Sequence, residues 1–209
     1  MKFQVASAFL PALAGTVVFL ISASGPALAA GSAEAGQAKA IVCAACHGMD
    51  GNSLMPEWPS LAGQNEAYFV RTLQAFQSGD RKNELMTPQA AALTVQDMQD
   101  LAAFFAGKTR QPKAADPKAV ADGERLYRGG NKETGVSACI ACHGPQGNGN
   151  GPAGYPALSG QHASYVASQL HRYREGLRTS DQNQMMRNSA ARLTDAEIDA
   201  VASYVQGLH

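Results

Sequence analysis

The sequence predicts an all-α chain made of two tandem copies of one small helical domain. Three observations carry this. Strand-like alternation is absent. Apolar residues instead recur at helical spacing, as in Leu101, Phe104 and Phe105 and again in Ile198, Val201, Tyr204 and Val205. Two matching pentapeptides, Cys43-Ala44-Ala45-Cys46-His47 and Cys139-Ile140-Ala141-Cys142-His143, stand 96 residues apart.

The neighbours of the pentapeptides repeat as well, which marks an internal duplication. Gly51-Asn52 returns as Gly147-Asn148, and Pro59-Ser60-Leu61-Ala62-Gly63-Gln64 returns as Pro156-Ala157-Leu158-Ser159-Gly160-Gln161. Tyr68, Leu73, Gly79 and Arg81 match Tyr165, Leu170, Gly176 and Arg178, and Leu93-Thr94 matches Leu193-Thr194. The offset grows from 96 to 97 and then to 100, so the insertions fall in loops.

Residues 1–29 read as a secretory signal peptide: Lys2, an apolar run from Phe9 to Ile21, then the small-x-small site Ala27-Leu28-Ala29. The apolar run is short of the roughly 20 residues that span a bilayer, so cleavage before Ala30 is expected. The first domain is then 30–107, the linker 108–115 and the second domain 116–209. A helix is predicted from about Ser32 into Cys46. Its counterpart opens at Asp116-Pro117, an N-cap followed by a helix-compatible proline, and runs to about Tyr127. Further helices are predicted over 65–78 and 162–175, stopped by Gly79 and Gly176. The last helices start at Thr94 and Thr194, with Asp97 and Glu197 placed for capping boxes. The linker is basic and polar, as an exposed connector should be.

Each C-x-x-C-H pentapeptide has the spacing of a covalent haem c attachment site. Two thiols separated by two residues on a helical turn reach the two vinyl groups on one porphyrin edge, and the histidine that follows lies under the iron. Cys43 and Cys46, and Cys139 and Cys142, are the expected attachment points, with His47 and His143 as iron ligands. These motifs use all four cysteines of the chain. Domains of about 80–95 residues have small cores, and a covalently held haem would add the apolar surface they lack.

The opposite face of each iron needs a ligand, and methionine sulfur suits electron transfer. The chain has seven methionines. Met1 belongs to the leader. Met49 and Met55 leave the proximal histidine too closely to cross to the other face. Met98 falls at a core position of the last helix of its domain. Met86 lies in a loop-like run seven residues before Leu93, and Met186 lies seven residues before Leu193, so the repeat selects this pair. Met185 remains a neighbouring alternative that the register disfavours. The Pro59 and Pro156 carbonyls are candidate acceptors for the second ring nitrogen of each histidine, and plain turn prolines are the other reading. Arg81 and Arg178 read either as partners of haem carboxylates or as solvated loop residues. His162 reads as a helix cap or surface residue, and His171 as solvated.

With both haem motifs, both methionines and the duplication in place, the chain resembles the cytochrome c4 family. The resemblance runs through AGSAEAGQAKA, both copies of P-x-L-x-G-Q, GYPALSGQHASYVASQL, REGLRT and SYVQGLH. It implies two class I cytochrome c domains related by a pseudo-twofold axis, two covalently attached haem c groups, and histidine–methionine ligation at both irons. It also implies a periplasmic electron carrier running from a quinol-oxidising complex toward terminal oxidases, in peripheral association with the membrane face.

The expected function is therefore electron transfer rather than catalysis, since six-coordinate irons leave no position for substrate. A dihaem peroxidase needs a releasable sixth site, which two matched methionines argue against. The haem subunit of a sulfide-oxidising flavocytochrome is a duplicated dihaem module too and stands as the alternative. Zinc or disulfide readings of the cysteines leave both histidines and the paired methionines unexplained. Balanced charge, 17 basic against 17 acidic residues, gives no steering toward nucleic acid.

Overall fold

The computed structural model describes residues 1–2 and 30–209; the expected leader core and cleavage site fall outside the described residues. The described residues form helices, with no strand beyond two isolated bridges, Asn131 with Val136 and Asn150 with Tyr155. The first half contains α1 (Ala33–Lys39), α2 (Ile41–His47), α3 (Glu66–Ser78), α4 (Met86–Ala91) and α5 (Val95–Ala106). The second half repeats the order with α6 (Val120–Gly129), α7 (Ile140–His143), α8 (Ala163–Arg174), α9 (Met185–Ala190) and α10 (Asp195–Gly207).

Each half has its own core, formed where its first and last helices cross. Phe69, Leu73, Phe76, Met98, Leu101, Phe104 and Phe105 fill the first, with the Phe69 and Phe105 rings stacked 5.6 Å apart. Leu126, Tyr127, Val166, Ile198, Val201, Tyr204 and Val205 fill the second, and Tyr127 packs on Tyr204 at 5.5 Å. The crossings are close because a glycine sits at each. A Cβ added at Gly36 would overlap the Asp100 carbonyl and stand 2.8 Å from the Phe104 Cβ. One at Gly123 would overlap the Ala200 carbonyl and stand 2.6 Å from the Tyr204 Cβ. At the first crossing Lys39 also pairs with Asp97 and Asp100. The Lys39 ammonium, the Ser32 N–H and the Gln96 amide hold the Asp100 carboxyl down at about 2.

Both expected capping boxes form: Thr94 with Asp97 at α5, and Thr194 with Glu197 at α10. Gly79 and Gly176 take positive φ, 84° and 71°, where the chain leaves α3 and α8. Three local expectations are corrected. The first predicted helix breaks at Ala40 into α1 and α2. The second domain's opening helix starts at Val120 rather than Asp116. There the Asp116 side chain accepts the Lys118 N–H, and the Asp116 carbonyl accepts the Ala119 N–H, closing a turn first. The segments carrying Met86 and Met185–Met186 are not loops but the starts of α4 and α9.

The two halves are joined by reciprocal hydrogen bonds. The Gln64 amide donates to the Ala157 carbonyl at 3.0 Å and accepts the Ala157 N–H at 2.8 Å. Gln161 does the same to Ser60, at 2.9 Å in both directions. Arg81 donates to the Tyr165 hydroxyl at 2.7 Å, and Arg178 to the Tyr68 hydroxyl at 3.0 Å. Residue i meets j while the match of j meets the match of i; that is the signature of a twofold contact. It follows from duplication, since each domain presents the same surface to the other.

This interface overturns several surface assignments. Arg81 and Arg178 are buried, not solvated, and each guanidinium lies over an aromatic ring, Phe76 at 4.6 Å and Tyr173 at 4.5 Å. The linker is not a free connector: Arg110 donates to Ser159 and Asn148, and Lys113 to the Gly160 carbonyl, while Asn52 bridges Thr109 and Gln111. His171 is half-buried against Arg174. His162 stands at the N-cap of α8, as expected, but its side chain makes no capping bond and it is not a surface residue. It is buried, and its Nε2 donates to the Ser53 carbonyl at 2.8 Å.

Burial holds the His162 ring below its usual 6.5, with Lys113 adding to the effect and the Ser53 carbonyl and Glu57 opposing it. The folded protein therefore keeps this ring neutral while the unfolded chain takes up a proton below pH 6.5. His162 costs stability as the pH falls through that value. His162→Asn, which places the residue found at the matching position 65, is expected to flatten the fall of the thermal midpoint between pH 6.5 and about pH 5. A midpoint whose acid slope is identical in the variant would remove His162 as the cause.

Candidate functional site

Each half builds the same site from three pieces. The first is a helical turn. Cys43, Cys46 and His47 lie on α2, where the 3.6-residue period puts positions 43 and 46 on one side. In the second half Cys139 caps α7, and Cys142 and His143 lie on it. All four thiols are half-buried. Burial pushes the Cys43 thiol up and the Cys139 thiol up to about 11, so both are neutral.

The second piece is the P-x-L-x-G-Q segment. His47 Nδ1 donates to the Pro59 carbonyl at 2.8 Å, and His143 Nδ1 donates to the Pro156 carbonyl at 3.0 Å. The carbonyls thus serve as acceptors and the prolines are more than turn residues. A carbonyl can only accept, so Nδ1 carries the proton and Nε2 is left with a lone pair. Both rings are 6 % exposed, and burial lowers both pKa values against the opposing pull of the carbonyls. Two buried neutral imidazoles with fixed tautomers are what an iron takes up.

The third piece carries the methionines. Met86 opens α4, its N–H held by the Asn83 side chain at 2.8 Å, and packs against the same core cluster as Cys43. Met186 packs against the same cluster as Cys139. Met185 sits differently: its sulfur accepts from the Tyr155 hydroxyl at 3.7 Å. Met98 is fully buried in the core, as the sequence predicts, and Met49 and Met55 are exposed. The longer second loop is accommodated by two consecutive left-handed residues, Asn183 (φ 50°) and Gln184 (φ 58°). Each costs roughly 1–2 kcal/mol. Asp181 holds the turn by accepting from the Arg187 backbone N–H at 3.0 Å and its Nε at 2.7 Å.

The residues present fit a haem in each half. Each half carries two cysteines on or beside one helical turn, a buried imidazole whose Nδ1 is occupied and Nε2 left as acceptor, and a methionine packed on the same core cluster as the first cysteine. The buried Nε of Arg178 has no partner among the described residues, and a haem carboxylate is the kind of acceptor it needs.

The Cytochrome c family model matches residues 33–107 and 120–209, once in each half. Cytochrome c4 of Thiocapsa roseopersicina is 53% identical over 180 residues, covering 85% of this chain and 93% of that protein. Cytochrome c4 of Azotobacter vinelandii is 48% identical over 204 residues, covering 93% and 97%. The crystal structure of reduced recombinant cytochrome c4 from Pseudomonas stutzeri superposes with a TM-score of 0.84 at 47% identity, over 86% of this chain and 100% of that one.

Proposed function

Because the chain belongs to the cytochrome c4 family of dihaem electron-transfer cytochromes, we propose that it carries electrons in the periplasm from a quinol-oxidising complex toward terminal oxidases. The proposal assigns Cys43, Cys46, Cys139 and Cys142 as the thioether points, and His47, Met86, His143 and Met186 as the four axial ligands. It assigns 1–29 as an export signal, 30–107 and 116–209 as the two domains, and 108–115 as their connector. No described helix is long and apolar enough to cross a membrane. The proposal includes peripheral association with the periplasmic face of the membrane.

One observation carries the reading: both histidines are buried and tautomer-locked by equivalent carbonyls while equivalent methionines sit on the core that holds the first cysteine of each motif. When bound, the haems supply one-electron chemistry at iron. The chain supplies the rest. The prolyl carbonyls fix both rings and raise their donor strength. The thioethers favour the ferrous state and raise the potential. The two cores exclude water and limit reorganisation.

The test is steady-state reduction by a purified quinol-oxidising complex followed by reoxidation by membranes containing terminal oxidase. Turnover through both steps is the expected result. If neither partner reacts, and a co-purified flavoprotein reduces the chain with sulfide, the flavocytochrome reading replaces this one.

A further inference from the structure

The repeated glutamine does more than join the halves. The Pro59 carbonyl and the Ser60 N–H are two ends of one peptide group. His47 Nδ1 donates to that carbonyl at 2.8 Å, and the same peptide's N–H donates to the Gln161 Oε1 at 2.9 Å from the other domain. The matching chain runs the other way. His143 Nδ1 donates to the Pro156 carbonyl at 3.0 Å, and the Ala157 N–H donates to the Gln64 Oε1 at 2.8 Å. Both glutamines are 9 % exposed. Their amide orientation is fixed by the network, because each Oε1 also accepts the next backbone N–H, from Asn65 or His162.

A peptide group is conjugated, so donation from its N–H moves electron density onto its carbonyl oxygen. A more negative carbonyl accepts more strongly from the imidazole N–H. The ring then becomes a stronger donor at Nε2, which favours the ferric state of an iron bound there. We propose that Gln161 and Gln64 are crossed positioning residues: each lowers the reduction potential of the haem held in the opposite domain. Gln161 acts on the His47 site and Gln64 on the His143 site. The proposal rests on His47 and His143 being iron ligands. It makes the interface part of both redox sites, so a partner that shifts the domains would shift both potentials.

The test uses the holoprotein and the near-isosteric variants Gln161→Met and Gln64→Met, with Gln161→Leu and Gln64→Leu in reserve where a methionine variant does not fold. Each site's ferric-to-ferrous ratio is followed by NMR through its axial-methionine methyl resonance, assigned from Met86→Ala and Met186→Ala. Gln161→Met is expected to change that ratio about two- to fivefold toward ferrous at the His47 site, roughly 20–40 mV at 59 mV per decade, and to leave the His143 site in place. Gln64→Met gives the converse. The His47 Nδ1–H proton resonance moves upfield only in Gln161→Met. If both variants keep two haems and the iron–sulfur absorption but neither potential moves, the relay is wrong while the ligand assignment stands. Equal shifts at both sites in each variant mark a general loosening of the interface and also overturn it. An unaltered haem spectrum in His47→Ala overturns the ligand assignment itself, and the relay with it.

Discussion

Met186→Ala is expected to halve the sulfur-to-iron charge-transfer absorption of the oxidised protein, and Met86→Ala to remove the other half. Haem content is unaffected in both, because the thioether bonds are separate from axial ligation, and a reduced-haemochrome assay should still give two haems per chain. The potential of the altered site falls steeply, since loss of the thioether removes the ligand that favours ferrous iron. Met185→Ala supplies the contrast. Its sulfur is occupied by the Tyr155 hydroxyl, whereas Met186 packs on the core beside Cys139. That variant should keep the full band. Retention of the full band in Met186→Ala, with loss in Met185→Ala, would exchange the two assignments. The adjacent left-handed residues make this site the more sensitive of the two to loop changes, because Asp181 must hold a turn that Asn183 and Gln184 disfavour.

Gly123→Val is expected to unfold the second domain selectively, and Gly36→Val the first. Each glycine lies in a helix of ordinary φ, so the requirement is space rather than backbone freedom. The atoms in the way at Gly123 are the α10 backbone at Ala200 and the Tyr204 Cβ; at Gly36 they are the α5 backbone at Asp100 and the Phe104 Cβ. Backbone cannot swing aside as a flexible side chain does, so the helices must separate. Overpacking of this kind costs about 3 kcal/mol or more. For a domain of this size, that lowers the melting point on the order of 15 °C. Melting followed separately through each site's axial-methionine methyl resonance would show it. A variant in which both domains keep their native midpoints would mean that the crossings are looser than these contacts imply.

Much of the site was legible in the sequence because haem attachment is local chemistry. Cys43, Cys46 and His47 lie on one short helix, and their spacing alone points to two thioether bonds and an iron ligand. The duplication then carried a long-range inference: register in the repeat, rather than any contact, paired Met86 with Met186. The prolyl carbonyls were visible as one of two readings, since a proline in a turn looks the same whether or not a ring donates to it. Gly36 and Gly123 passed unnoticed. Their signal was faint, a glycine inside each domain's opening helix, and the unequal spacing to the motifs hid the match.

The sequence by itself determined two haem anchors, two all-α halves and the capping boxes that start α5 and α10. Each is set by residues within a few positions of one another or by comparison of the chain with itself. The tertiary structure alone decided how the halves meet. Arg81, Arg178 and His162 each kept a solvated reading in the sequence because their partners are 84, 110 and 109 positions away. Gln64 and Gln161 showed only as a repeated letter. Whether a polar side chain faces water or a second domain depends on the docking of two separately folded cores. No local periodicity records that docking, and here it places each glutamine on the peptide that holds the other domain's histidine.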